Sequence, residues 1–143
     1  LRKMNLRDGV VHFVWFAVLG LPLAIAIGFI HPAARWPAIE SIPLLIAGIF
    51  LLNALPEEIL FRGIIQHSVE LITKSRLGSL VLAALVFGIS HLNNGPPLPN
   101  YRYFVMASLA GVFYGLAWRR NRNVLTSTIT HTLVNTAWRL FFR

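Results

Sequence analysis

Polar and apolar positions along the chain separate into long apolar runs divided by short polar clusters. Residues 10–30 form 21 consecutive positions whose only strongly polar member is His12. At 1.5 Å per residue such a run crosses a hydrocarbon layer of ~30 Å, so the pattern predicts a first transmembrane helix there. Arg2, Lys3 and Arg7 precede it as they would in a signal peptide. The run exceeds a usual signal core and further apolar spans follow, which favours a retained helix. "HPAARWPAIES" is a proline-broken connection, with Trp36 suited to a membrane interface.

A second apolar run, residues 42–55, leads into "PEEILFRGIIQHSVELIT". Pro56 either kinks one long helix or opens a new one at its first position, and both remain open at this level. "KSRLG" reads as a turn, residues 78–92 as a third helix and "NNGPPLPN" as a loop. The fourth helix, residues 103–118, carries Ala107, Gly111 and Gly115 at four-residue spacing, which lets another helix approach closely. "RRNRN" ends it, and residues 124–142 form the fifth. The expected architecture is an all-α polytopic integral membrane bundle of about five transmembrane helices, one membrane-embedded unit over residues 1–143.

Composition agrees. Hydrophobic residues make up 56% of the chain and charged residues 13%, with a mean hydropathy of +0.65. Soluble domains carry about twice that charged fraction. Thirteen Lys and Arg against five acidic residues give a net charge of +8, which in a soluble chain would suggest nucleic acid. Here the basic residues sit in short clusters between apolar runs, and no basic face or aromatic-studded sheet is visible, so a nucleic-acid partner is not expected. There is no cysteine, which removes disulfides and thiol chemistry. The first residue is Leu rather than Met, as in a fragment or a processed form.

Charge also orients the chain. Before helix one, after helix two and after helix four stand three, two and three basic residues; the other side has Arg35, Arg102, Arg139 and Arg143, and Arg62 lies within a helix. Eight against four predicts a cytoplasmic N-terminus in a multi-pass protein of the cell membrane.

Ionisable residues inside apolar spans are costly enough to mark function. Four groups qualify: Glu57 and Glu58 with Arg62, then His91, His131 and Asn135. Each also has a purely structural reading. Glu58 and Arg62, four apart on a helix, could be a neutralised pair. His91 could cap backbone carbonyls at a helix end. His131 and Asn135, sharing a face, could bond a neighbouring helix. His12, His31 and His67 lie near expected interfaces, and the structural reading holds for them. Helical rise places Glu57, His91, His131 and Asn135 at ~25, ~22, ~14 and ~20 Å from the same charged side, so the four can converge in one layer.

A carboxylate with imidazoles nearby can hold a water and remove its proton. A His and an Asn side by side can donate to an oxyanion. These are the parts of an amide hydrolase that attacks with water. There is no HExxH, Asp8 is expected outside the spans so that an aspartate dyad is impossible, and no serine sits in a nucleophile elbow.

"EEILFR" matches EExxxR, "FGISH" matches FxxxH and "HTLVN" matches HxxxN, in that order on successive hydrophobic segments. The ordered triple resembles the CPBP family of intramembrane proteases, which includes type II CAAX prenyl proteases and bacteriocin-processing or immunity proteins (the ABI group). The resemblance covers roughly residues 44–137, while the first helix is generic. It implies Glu57 as the base for water and His91 as the group that helps position and activate that water. It likewise implies His131 and Asn135 as stabilisers of the oxyanion, with Glu58 and Arg62 in support. The chain is shorter than many relatives.

The implied activity is that of an intramembrane endopeptidase acting on a membrane-associated peptide or protein, prenylated in one branch of the family and bacteriocin-related in another. Two rivals from other classes are a non-catalytic scaffold or immunity protein keeping the fold, and a proton-coupled carrier. The carrier lacks a convincing inverted repeat or a second broken helix. No cofactor is expected. Zinc is the alternative, with Glu57, His91 and His131 as ligands, but no helix carries paired histidines at i and i+4, and Asn135 has no obvious place in a zinc sphere.

Overall fold

The computed structural model describes residues 3–33 and 37–142, and among them the only strand-like pairing is one isolated antiparallel bridge between Pro32 and Phe142. Arg2, Arg35, Trp36 and Arg143, which enter the orientation count and the interface expectation, lie outside the described residues. Five helices follow in order: α1 (Lys3–Ala26), α2 (Ile39–Thr73), α3 (Arg76–Ile89), α4 (Tyr101–Asn121) and α5 (Val124–Phe141).

α1 begins at Lys3 rather than residue 10, because its polar first turns find partners. Asn121 Nδ2 donates to Asn5 Oδ1 at 3.3 Å and to Asp8 Oδ2 at 3.2 Å. Asp8, expected outside the spans, is therefore buried within α1. The helix stops at Ala26 rather than residue 30. Gly28 takes a φ of +64°, a conformation open to glycine, and its carbonyl accepts from Arg102 Nη1 at 3.0 Å.

α2 answers the question posed by Pro56: it is one continuous helix of 35 residues. Proline lacks the N–H of a helical ladder and its ring crowds the carbonyl four residues earlier. Two wide π-helical stretches, Ile49–Ala54 and Ile59–Gln66, flank the α-helical turn Leu55–Glu58. Such turns absorb the mismatch without ending the helix.

The other boundaries follow from caps. Ser75 Oγ accepts from Gly78 N at 3.0 Å and starts α3 at Arg76, while the helix ends at Ile89, so His91 lies in the turn beyond it rather than inside a helix reaching residue 92. Asn100 Oδ1 accepts from Tyr103 N at 3.0 Å and opens α4. α4 runs past residue 118 through Arg119 and Arg120, and Arg122 closes it at a φ of 51°. Asn123 Oδ1 caps α5 by accepting from Leu125 N at 2.9 Å.

α4 packs against α1, α3 and α5, and α2 packs against α3 and α5. The small-residue stripe acts as the spacing implied. A Cβ on Gly111 would stand 3.0 Å from Ala84 Cα of α3, and one on Gly115 would stand 2.6 Å from Gln66 Oε1 of α2.

The distribution of polarity is inverted relative to a water-soluble fold. The largest fully buried side chains are Arg62, Tyr114, Gln66 and Glu58. Val14, Trp15, Val18 and Leu19 of α1 and Leu44, Leu51 and Leu52 of α2 are exposed. Apolar surface of this extent suits lipid, where backbone polar groups must be satisfied within helices. α1 and α2 are long and apolar enough to cross a membrane. α4 and α5 are long too, but buried threonines and serines lower the hydropathy of α5, and Ser127, Thr128, Thr130 and Thr132 donate to carbonyls of their own helix, as Thr132 Oγ1 does to Thr128 O at 2.7 Å.

The start of α1 and the α2–α3 and α4–α5 turns gather at one end of the bundle. Asn121 meets Asn5 and Asp8, and two nitrogens of Arg122 donate to the carboxylate of Glu70, which Arg76 also approaches at 3.7 Å.

Candidate active site

Glu57 and Glu58 leave the α-helical turn of α2 in different directions, as adjacent residues on a helix must. Glu58 faces the interior, with 0% exposure, and Glu57 is half-buried. Arg62, one turn on, donates from Nη1 to Glu58 Oε1 at 3.2 Å and from Nη2 to the carbonyl of Gly111 at 2.9 Å. The guanidinium also lies 4.8 Å from the ring centroid of Phe87 and 5.3 Å from that of Tyr114, so its charge meets two aromatic faces.

α5 brings His131 to the same carboxylate. His131 Nδ1 lies 2.9 Å from Glu58 Oε1. An ionised carboxylate only accepts, so Nδ1 carries the proton and Nε2 is the ring nitrogen turned elsewhere. Nε2 stands 4.0 Å from Glu57 Oε2. Tyr114 stacks on the imidazole at 4.5 Å and Phe87 meets it edge-on at 5.8 Å, which holds the ring plane.

Glu57 is held from its other side. Asn53 Nδ2 donates to Glu57 Oε1 at 2.6 Å, and Asn135 Nδ2 donates to Asn53 Oδ1 at 2.7 Å. Glu57 Oε2 has no hydrogen-bond partner among the described residues.

His91 arrives from the turn after α3. Its Nδ1 donates to the carbonyl of Phe87 at 2.8 Å, since a carbonyl can only accept, which leaves Nε2 as the ring nitrogen open to another partner. Tyr103 stacks on it at 5.0 Å.

Glu57, His91, His131 and Asn135 line one cavity of about 460 Å³, together with Asn53. The convergence expected from depth along the helices is thus met for all four. Much of the remaining wall is apolar, with Phe16 and Ala24 of α1 and Met106 and Ala107 of α4 among its residues. Glu58 and Arg62 stand behind this cavity, not in its lining. Among the described residues no group of three His, Asp or Glu side chains is arranged to hold a metal ion.

Asn53 escaped the sequence reading. Its signal is present, as an amide in an apolar run four residues before Glu57, but only the fold pairs it with Asn135. The structural readings of the other histidines hold for two of them. His12 Nδ1 bonds the Asp8 carbonyl of its own helix at 2.6 Å, and His67 packs edge-on against Trp118.

Residues 38–137, 100 of the 143 in the chain, match the family model described as type II CAAX prenyl endopeptidase Rce1-like. No curated protein and no solved structure matches the chain.

Proposed function

Because the chain belongs to the Rce1-like type II CAAX prenyl endopeptidase family, whose members are membrane-embedded proteases, we propose that it hydrolyses a peptide bond of a membrane-associated substrate with water activated by Glu57. The observation that carries the reading is the state of the two Glu57 oxygens. Oε1 is held by Asn53, while Oε2 is unpartnered, next to His131 Nε2 at the wall of the cavity.

In this mechanism a water bound between Glu57 Oε2 and His91 Nε2 gives its proton to Glu57, and its oxygen adds to the scissile carbonyl. The charge that develops on the carbonyl oxygen is met by the free N–H of Asn135 and by His131, whose Nε2–H donates when the ring carries both protons and Glu58 serves as its counter-ion. Collapse of the tetrahedral species breaks the C–N bond, and Glu57 returns its proton to the leaving amine. Arg62 shares Glu58 with His131 and ties it to α4, so that His131 keeps its orientation.

The prenylated branch of the family is favoured over bacteriocin processing because much of the cavity wall beyond Glu57, His91, His131 and Asn135 is apolar, which suits an isoprenoid chain. The placement has five helices crossing a cell membrane with the N-terminus cytoplasmic. It is supported by the gathering of Lys74, Arg76, Arg119, Arg120 and Arg122 around the helix turns at the α1 start.

The test is cleavage of a farnesylated CAAX peptide by the purified chain in liposomes, beside the same peptide without its lipid. Release of the C-terminal fragment from the farnesylated peptide alone is expected. Equal turnover by wild type and Glu57→Gln removes Glu57 as the base. Metal-free water activation is supported by the donor geometry, and elemental analysis with exhaustive chelation checks it. One equivalent of zinc whose removal stops cleavage and whose return restores it overturns that part.

A further inference from the structure

We propose that Asn53 is a positioning residue that sets the polarity of the site, committing Glu57 Oε2 to the base role and turning an N–H of Asn135 toward the oxyanion. The inference rests on Glu57 being the base.

The argument runs through donors and acceptors. Asn53 is four residues before Glu57 on α2, in the π-helical stretch that precedes Pro56. Its amide can be placed two ways round, but a carboxylate accepts and does not donate, so Nδ2 must face Glu57 Oε1. Asn53 Oδ1 then faces Asn135, which must answer with Nδ2. One N–H of Asn135 is consumed by that bond and the other remains. The negative charge of the base therefore dictates, through two amides, that Asn135 presents a donor. Without Asn53, the Asn135 amide is free to turn its carbonyl oxygen inward, where it would repel a developing oxyanion.

The same arrangement survives the proton transfer. A proton taken up on Glu57 Oε2 leaves Oε1 an acceptor, so the Asn53 bond and the orientation of Asn135 persist while the oxyanion exists. Asn53 needs no contact with substrate for this. A purely structural role, an interhelical bond joining α2 to α5, predicts lost stability and unchanged chemistry.

The experiment uses the full chain in liposomes with the farnesylated CAAX peptide as probe. Asn53→Leu is expected to lower kcat about 100-fold, as misplacement of reacting groups does, with KM within about twofold of wild type. Asn135→Leu is expected to lower kcat about as much, as loss of an oxyanion donor does. Because the residues form one chain of bonds, the double variant should fall no further than the worse single variant. A double variant near 10⁴-fold down, the product of two independent effects of about 100-fold each, overturns the relay. Full kcat in Asn53→Leu overturns it as well.

Asn53→Asp guards against a folding failure, since it keeps the shape while replacing the donor that faces Glu57 with an acceptor. It should lose kcat as Asn53→Leu does, and retained kcat contradicts the proposal. An infrared arm requires no turnover. The carboxylate band of Glu57, assigned by its loss in Glu57→Gln, should shift in both Asn53 variants, and an unmoved band overturns the inference. Activity surviving in Glu57→Gln is a different result and sinks the underlying assignment of the base.

Discussion

Two acid–arginine clusters of similar composition sit at different heights in this bundle. At one end, Arg122 and Arg76 converge on Glu70, with Arg122 47% and Arg76 81% exposed. Deeper in, Arg62 and Glu58 pair at 3.2 Å with 0% exposure on both side chains. The first cluster has water and ions as alternative partners, so each bond in it is worth little. The second has none, so every member depends on the others. Arg62 binds the Gly111 carbonyl of α4, and Glu58 binds His131 of α5, which joins three helices through one carboxylate–guanidinium pair. Burial converts a generic ion pair into a device that fixes where an imidazole points.

The sharpest separation between the clusters is chemical. Glu57→Gln should reduce cleavage of the farnesylated peptide by two to four orders of magnitude, about the contribution of general base catalysis, with normal yield in the membrane. Glu70→Gln should leave turnover near wild type. If the two variants lose activity together, the deep carboxylate Glu57 is not set apart from the exposed Glu70.

Stability should follow the same division. Arg62→Ala leaves Glu58 as an uncompensated buried charge and is expected to cost about 3–5 kcal/mol, seen as lost folded protein or a lowered Tm. Replacing both partners, Glu58→Leu with Arg62→Leu, should recover most of that stability because no charge is left unpaired. That double variant should still turn over poorly, since His131 has lost the carboxylate that orients it. Recovery of both folding and full activity would show that the pair is only a helix staple.

Packing behind the deep cluster gives an intermediate effect. Gly111→Val would press against Ala84 and move the carbonyl that Arg62 uses. A loss of about 1–3 kcal/mol is expected, with activity falling alongside it. Thermal unfolding in detergent checks the first part.

The smallest effect belongs to the exposed cluster. Arg122→Ala should cost about 1 kcal/mol or less, and the difference from wild type should shrink further in high salt. A cost as large as that of Arg62→Ala would erase the distinction between the two environments.

Much of this was legible in the chain because lipid imposes a simple grammar. Long apolar runs had to be helices, and the carboxylates, imidazoles and Asn135 inside them had to meet partners rather than lipid. The small-residue stripe of α4 announced a close approach, and α3 and Gln66 make it. Local chemistry extends the pattern. The polar first turns of α1 carry the helix back to Lys3, because Asn121, from the far end of the chain, gives Asn5 and Asp8 a partner. His91 follows a helix that stops at Ile89 rather than residue 92, and in the linear pattern Asn53 is one more residue of an apolar run.

The linear pattern carries the all-helical class of the fold, the order of its helices and the ionisable residues that stand inside apolar runs, since hydropathy and the cost of buried charge act residue by residue. It left open whether Pro56 breaks α2, which oxygen of Glu57 is held, and which carboxylate takes His131. Those choices depend on groups up to 82 positions apart meeting within hydrogen-bond distance. Only packing decides them, because a hydrogen bond requires a partner at a particular place and angle, and the linear pattern contains neither.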